Sequence, residues 1–80
     1  MRTLVATVMT NHKGNEIYCW NRKVNSKDSQ ILRSTDRSVL EQRGFTFINF
    51  ISPEYPNIAG YAIFFEGHLD EMSRDLKAMP

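Results

Sequence analysis

Residues 45–51 read Phe-Thr-Phe-Ile-Asn-Phe-Ile, a stretch with apolar residues at both odd and even positions. Successive side chains of a β-strand point to opposite faces, so a strand of this composition presents apolar groups on both faces. Such a strand is typical of a central position in a sheet whose two faces are covered. We therefore predict a central, buried strand over residues 45–51.

Three further segments indicate strands around it. A proline-containing loop leads to residues 58–65, which read as another buried strand. Residues 3–10 are rich in β-branched types, and residues 16–24 read as their return strand. The run 11–15 between them contains a glycine and is rich in turn formers, which predicts a hairpin. Short connections of this kind indicate mainly antiparallel pairing.

Two segments carry helix signals. Ser34, Thr35 and Asp36 are possible N-caps, and Gly44 lies where a C-terminal stop of a short helix is expected. Near the end of the sequence, apolar residues recur at helical spacing, at Leu69, Met72, Leu76 and Met79. We expect this stripe to cover the sheet, with docking onto a partner as the alternative.

The segment before the first helix is less regular. Residues 25–29 contain no apolar side chain and predict an exposed loop. Residues 30–33 are predicted as a short third strand, with the approach to a helix as the alternative. The fold class is therefore α+β: a single compact domain over residues 1–80, with a small, mainly antiparallel sheet of four to five strands and two helices, in the order β-β-(β)-α-β-β-α.

Composition narrows the functional classes. With 41% apolar residues, the 80-residue chain can form a real core. Its one cysteine excludes an intramolecular disulfide and favours a reducing compartment. No apolar run approaches the roughly 20 residues of a membrane span, and the first residues lack the apolar block of a signal peptide. We expect a soluble, cytoplasmic protein with no membrane association.

Charge is unevenly distributed along the chain. Eight basic and four acidic residues give residues 1–43 a net charge of +4, whereas two basic and five acidic residues give residues 44–80 a net charge of −3. Such an uneven distribution of charge gives information about binding partners rather than about catalysis. We predict that one edge of the sheet gathers the basic residues Lys13, Arg22, Lys23, Lys27, Arg33 and Arg37.

Tyr55 is a further candidate for binding. It lies in a loop between Pro53 and Pro56, which would hold it stiffly, and exposed aromatic residues often anchor interfaces. The alternative is that its ring folds back on the core.

No catalytic or metal-binding constellation is present in the sequence. His12, Cys19 and His68 lack the spacing of a metal site, so we predict neither metal nor cofactor. His12 is interpreted as a turn histidine and Cys19 as a buried free thiol. The most compact acid–base pair is His12 with Glu16, and nothing in the spacing requires it to be catalytic. We predict that the protein is not an enzyme.

The leading functional hypothesis is a small interaction protein: an inhibitor, adaptor or regulator that binds a larger protein or nucleoprotein complex through the basic edge. Phage host-takeover and anti-defence factors often have this form. The alternative is a module for RNA or single-stranded DNA, in which Tyr18 and Trp20 would stack on bases. A third hypothesis is a small ribonuclease with His12 as its base. The separated charges also permit a homodimer.

Overall fold

A computed structural model of the chain describes residues 1–51, 53–54 and 59–79. Its elements are β1 (Arg2–Thr10), β2 (Glu16–Trp20), α1 (Ser26–Ser34), α2 (Arg37–Gln42), β3 (Phe45–Ile51), β4 (Ala59–Glu66) and α3 (Leu69–Lys77). The strands form one antiparallel sheet in the spatial order β2-β1-β4-β3. The predicted α+β class and the mainly antiparallel sheet are confirmed, and the described residues form three helices rather than two.

The additional helix is α1, where a loop over 25–29 and a strand over 30–33 were predicted. Both predictions are wrong. Asn25 is the N-cap, and its side chain accepts a hydrogen bond from the backbone N–H of Asp28 at 2.8 Å. This bond satisfies one of the donors that a helix start leaves unpaired. Leu32 then anchors the helix in the core.

The other helices follow their sequence signals. Asp36 is the N-cap residue of α2, and Gly44 beyond its end has a φ of +97°, a left-handed conformation that favours glycine. On α3, Leu69, Met72 and Leu76 are all buried. The predicted intramolecular use of this apolar stripe is therefore confirmed.

The second strand is shorter than predicted. It ends at Trp20, and residues 21–24 form a turn in which the N–H of Val24 donates to the carbonyl of Asn21. The Asn21 side chain stabilises this turn, because it donates to the Leu4 carbonyl at 2.8 Å and accepts from the Lys23 N–H at 3.0 Å. The prediction of a strand as far as residue 24 is wrong beyond Trp20.

Strand β3 has the predicted bounds but not the predicted position. It lies at an edge of the sheet, and β1 and β4 are the central strands. The prediction of a central strand covered on both faces is therefore wrong. The apolar composition of β3 on both faces is unusual for this position, since the exposed face of an antiparallel sheet is ordinarily polar.

All three helices pack on one face of the sheet. The core between them consists of Val5, Val8, Leu32, Leu40, Phe45, Ile63, Phe65, Leu69, Met72 and Leu76. The β1–β4 register shifts between Leu4 and Ala6, and at this irregularity both Val5 and Ala6 are fully buried. Within the described residues, no helix is long and apolar enough to cross a membrane.

Candidate functional site

The face of the sheet opposite the helices is here called the open face, because none of the described helices packs on it. Residues paired across antiparallel strands share a face, so the register defines its surface. Three rows run across it, in the order β2, β1, β4, β3 where all four strands contribute: Ile17–Met9–Gly60–Phe50, Cys19–Thr7–Ala62–Ile48, and Leu4–Phe64–Thr46. No residue in these rows is charged.

Much of this apolar surface is accessible to solvent. Leu4, Ile17 and Ile48 are 40%, 55% and 41% exposed, and they belong to three different rows. Cys19, predicted to be a buried thiol, is exposed because β2 has no cover on this side. That prediction is wrong.

The side chains of the open face are smallest near its middle, which leaves a shallow depression there. Thr7, Gly60 and Ala62 are small and lie on the two central strands. A Cβ atom on Gly60 would meet the carbonyl oxygen of Val8 at 2.9 Å and the ring of Phe50 at 3.1 Å. Glycine at this position therefore lets the Phe50 ring lie against the backbone of β4.

The open face is a contiguous surface without charged residues. Strands spaced about 4.8 Å apart and rows about 6.6 Å apart give the three rows a footprint of roughly 15 by 15 Å before side-chain relief is counted. Antiparallel sheets with a solvated face usually alternate apolar and polar residues, and these strands do not. Contiguous exposed apolar patches commonly mark binding sites.

The predicted basic residues lie apart. Lys13 is at the tip of the β1–β2 hairpin, whereas Arg22 and Lys23 are in the turn after β2 and Lys27 is in the first turn of α1. The five residues of β2 separate these two groups by about 16 Å. These four cations therefore lie beyond the two ends of β2, which is an edge strand of the sheet, and their role in binding stays a prediction.

Arg33 and Arg37 each lie over an aromatic ring of the helix-covered face. The Arg33 guanidinium is 5.4 Å from the ring centre of Tyr18, and that of Arg37 is 4.6 Å from the ring centre of Phe47. Tyr18 also stacks on Trp20, with ring centres 5.0 Å apart and planes 8° from parallel. These five residues are here called the arginine–aromatic cluster.

Glu16 joins this cluster to β4. Its carboxylate accepts hydrogen bonds from the hydroxyls of Tyr18 at 3.3 Å and Tyr61 at 2.8 Å. Burial, and after it the bond to Glu16, raises the pKa of Tyr61 far above its ordinary value. Burial is also the main cause that raises the pKa of Tyr18.

The candidate catalytic pair does not form. The Glu16 carboxylate is bonded to the two tyrosines, and among the described residues no hydrogen bond or ion pair involves the His12 side chain. The described residues also contain no group of three or more acidic, histidine or cysteine side chains that could hold a metal ion. Tyr55, the predicted aromatic anchor, lies outside the described residues.

No protein-family model, curated protein or solved structure matches this chain. The open face was missed from the sequence because its residues come from four strands and meet only in the folded register. One signal for it was present: the run 45–51 is apolar on both faces, which requires a cover for each.

Proposed function

We propose that this protein is a non-enzymatic interaction domain that packs its open face against an apolar surface of a larger protein. The proposal is carried by one observation, the three uncharged rows of an exposed sheet face. Burying an apolar side chain such as Ile17 or Ile48 contributes about 1.5–3 kcal/mol when burial is complete. A partner surface of complementary shape would bury several such side chains at once.

Charged residues at both ends of the open face support the proposal. Beyond the last row, Arg2 pairs across the sheet with Glu66, and Lys13 lies at the opposite, hairpin end. An apolar centre with a charged rim is the usual arrangement of a protein interface. The rim charges would steer the approach of a partner and set its orientation, more than they would add affinity.

A domain of this size acts by occupying the surface of its partner, which is the mode of an inhibitor, adaptor or regulator. Phage host-takeover and anti-defence factors are one class of proteins that work in this way, and we include this class among the proposed functions. The exposed Cys19 thiol favours a reducing compartment such as the cytoplasm, because an accessible thiol elsewhere is prone to oxidation.

The test compares two matched variants in affinity capture from a lysate of the source organism. Ile17→Lys places a charge on the open face, whereas Val39→Lys places the same charge on α2, where Val39 is 37% exposed. We expect a protein captured by the native chain and by Val39→Lys to be lost, roughly tenfold or more, with Ile17→Lys. A partner retained equally by both variants would contradict the assignment of the surface.

Nucleic acid is the alternative partner, and the arginine–aromatic cluster is the observation that favours it. Its two guanidinium groups and its stacked Tyr18–Trp20 pair have the chemistry that binds single strands. These two rings already stack on one another and Tyr18 also contacts Arg33, which leaves less of their surface for a base. Capture that disappears after nuclease treatment would favour this alternative over an apolar protein contact.

A further inference from the structure

The two edges of the sheet differ in how they are protected. Natural proteins blunt exposed edges with short strands and charged residues, because unpaired backbone groups invite another strand. The β2 edge fits this rule, since it has five residues and includes Glu16. The β3 edge does not fit, since its seven residues contain no charge, proline or glycine. The β3 edge therefore has the composition of a strand that pairs.

The backbone of β3 has a definite outward side. The N–H of Glu66 donates to the carbonyl of Gly44, which identifies 44 and 66 as a hydrogen-bonded pair. Hydrogen-bonded pairs alternate along an antiparallel ladder, so the even residues of β3 bond to β4. The N–H and carbonyl groups that point away from the sheet are those of Phe45, Phe47, Asn49 and Ile51. No hydrogen bond among the described residues uses them.

We propose that the β3 edge pairs with β3 of a second copy of this chain, antiparallel about a two-fold axis at Ile48. In this register Phe45 lies opposite Ile51 of the second copy, and Phe47 lies opposite Asn49. Each such pair exchanges two backbone hydrogen bonds. The two four-stranded sheets become one continuous antiparallel sheet, with Ile48 beside its own copy on the open face.

A second copy suits this edge for two reasons. A two-fold axis requires a surface that is complementary to itself. The β3 edge meets this condition, because in this register each residue whose N–H and carbonyl point outward lies opposite another such residue, so every donor faces an acceptor. A strand without charge also meets its copy without repulsion. Ile51, which is 69% exposed, gains Phe45 of the second copy as a neighbour. The pairing goes beyond the proposed function, because the open face stays free to bind a partner.

The mass of the protein in solution tests this pairing through three variants. We expect the native chain to shift from monomer to dimer in analytical ultracentrifugation over a roughly hundredfold range of concentration. Asn49→Lys places a charge at the pairing edge and should remove the dimer. Asn15→Lys, the same change at an exposed site beside the other edge, should keep it. Ile17→Lys should also keep it, because Ile17 lies on the open face and not at the β3 edge.

A disulfide test determines the register. In a Cys19→Ser background, Ile48→Cys should form a disulfide-linked dimer, because opposed residues of a non-hydrogen-bonded pair have Cα atoms about 4.5 Å apart. Asn49→Cys should not, because the two Asn49 positions are offset in this register by about 8 Å. Cross-linking of Asn49→Cys in preference to Ile48→Cys would overturn the register.

Two results would overturn the pairing itself. One is a native chain that stays monomeric at all concentrations. The other is a dimer that survives Asn49→Lys but dissociates with Ile17→Lys, which would mean that the two copies meet through their open faces.

Discussion

At the scale of single residues, the Tyr61 hydroxyl of β4 donates a hydrogen bond to Glu16 of β2 at 2.8 Å. The folded-state pKa of Tyr61 lies above its unfolded value near 10.0. A raised tyrosine pKa contributes stability that is fully present below the unfolded pKa and is lost as the pH rises toward the folded pKa. We expect the unfolding temperature to fall as the pH rises above about 10, and to fall less in Tyr61→Phe. Circular dichroism melts between about pH 8 and pH 11 measure this; identical slopes for both proteins would contradict the assignment.

At the scale of secondary structure, the quality of each prediction depended on where its signal lay. The hairpin, β3 and α3 carry their signals in their own residues: β-branched residues around a turn, an apolar run, and an apolar stripe at helical spacing. Helix α1 has only Ile31 and Leu32 as apolar residues, so it has no helical stripe to detect. Its one clear signal is local, the cap by Asn25. The edge position of β3 could not be predicted from the sequence. Composition indicates that both faces of a strand are covered, but it does not identify the neighbouring strands or the groups that cover it.

The Asn25 cap gives a prediction for α1. Asn25→Ala removes the acceptor for the Asp28 N–H and should lower the free energy of unfolding by about 1 kcal/mol. Asn25→Asp keeps an acceptor at the same place and should retain most of the stability. Urea unfolding of the three proteins measures the difference. Equal losses for alanine and aspartate would mean that the cap does not hold the start of α1.

At the scale of the whole molecule, the sheet has three helices on one face and none of the described helices on the other. The charge asymmetry of the sequence indicated a contact surface but not its place. The positions of Arg33 and Arg37 depend on α1 and α2, which return the chain over the sheet. The open face depends on the register of four strands. Both are properties of the folded chain, so neither surface could be predicted from the sequence, and the class of function stays a prediction.

The most direct measurement is the reaction rate of Cys19 with an uncharged thiol reagent, because this single cysteine lies in the middle row of the open face. In the dilute purified protein we expect the folded chain to react at a rate within about tenfold of the unfolded chain. In complex with the captured partner the reaction should slow in proportion to the bound fraction, and Ile17→Lys should restore it. A Cys19 that reacts equally fast in the free protein and in the complex would contradict the proposal that the open face is the binding surface.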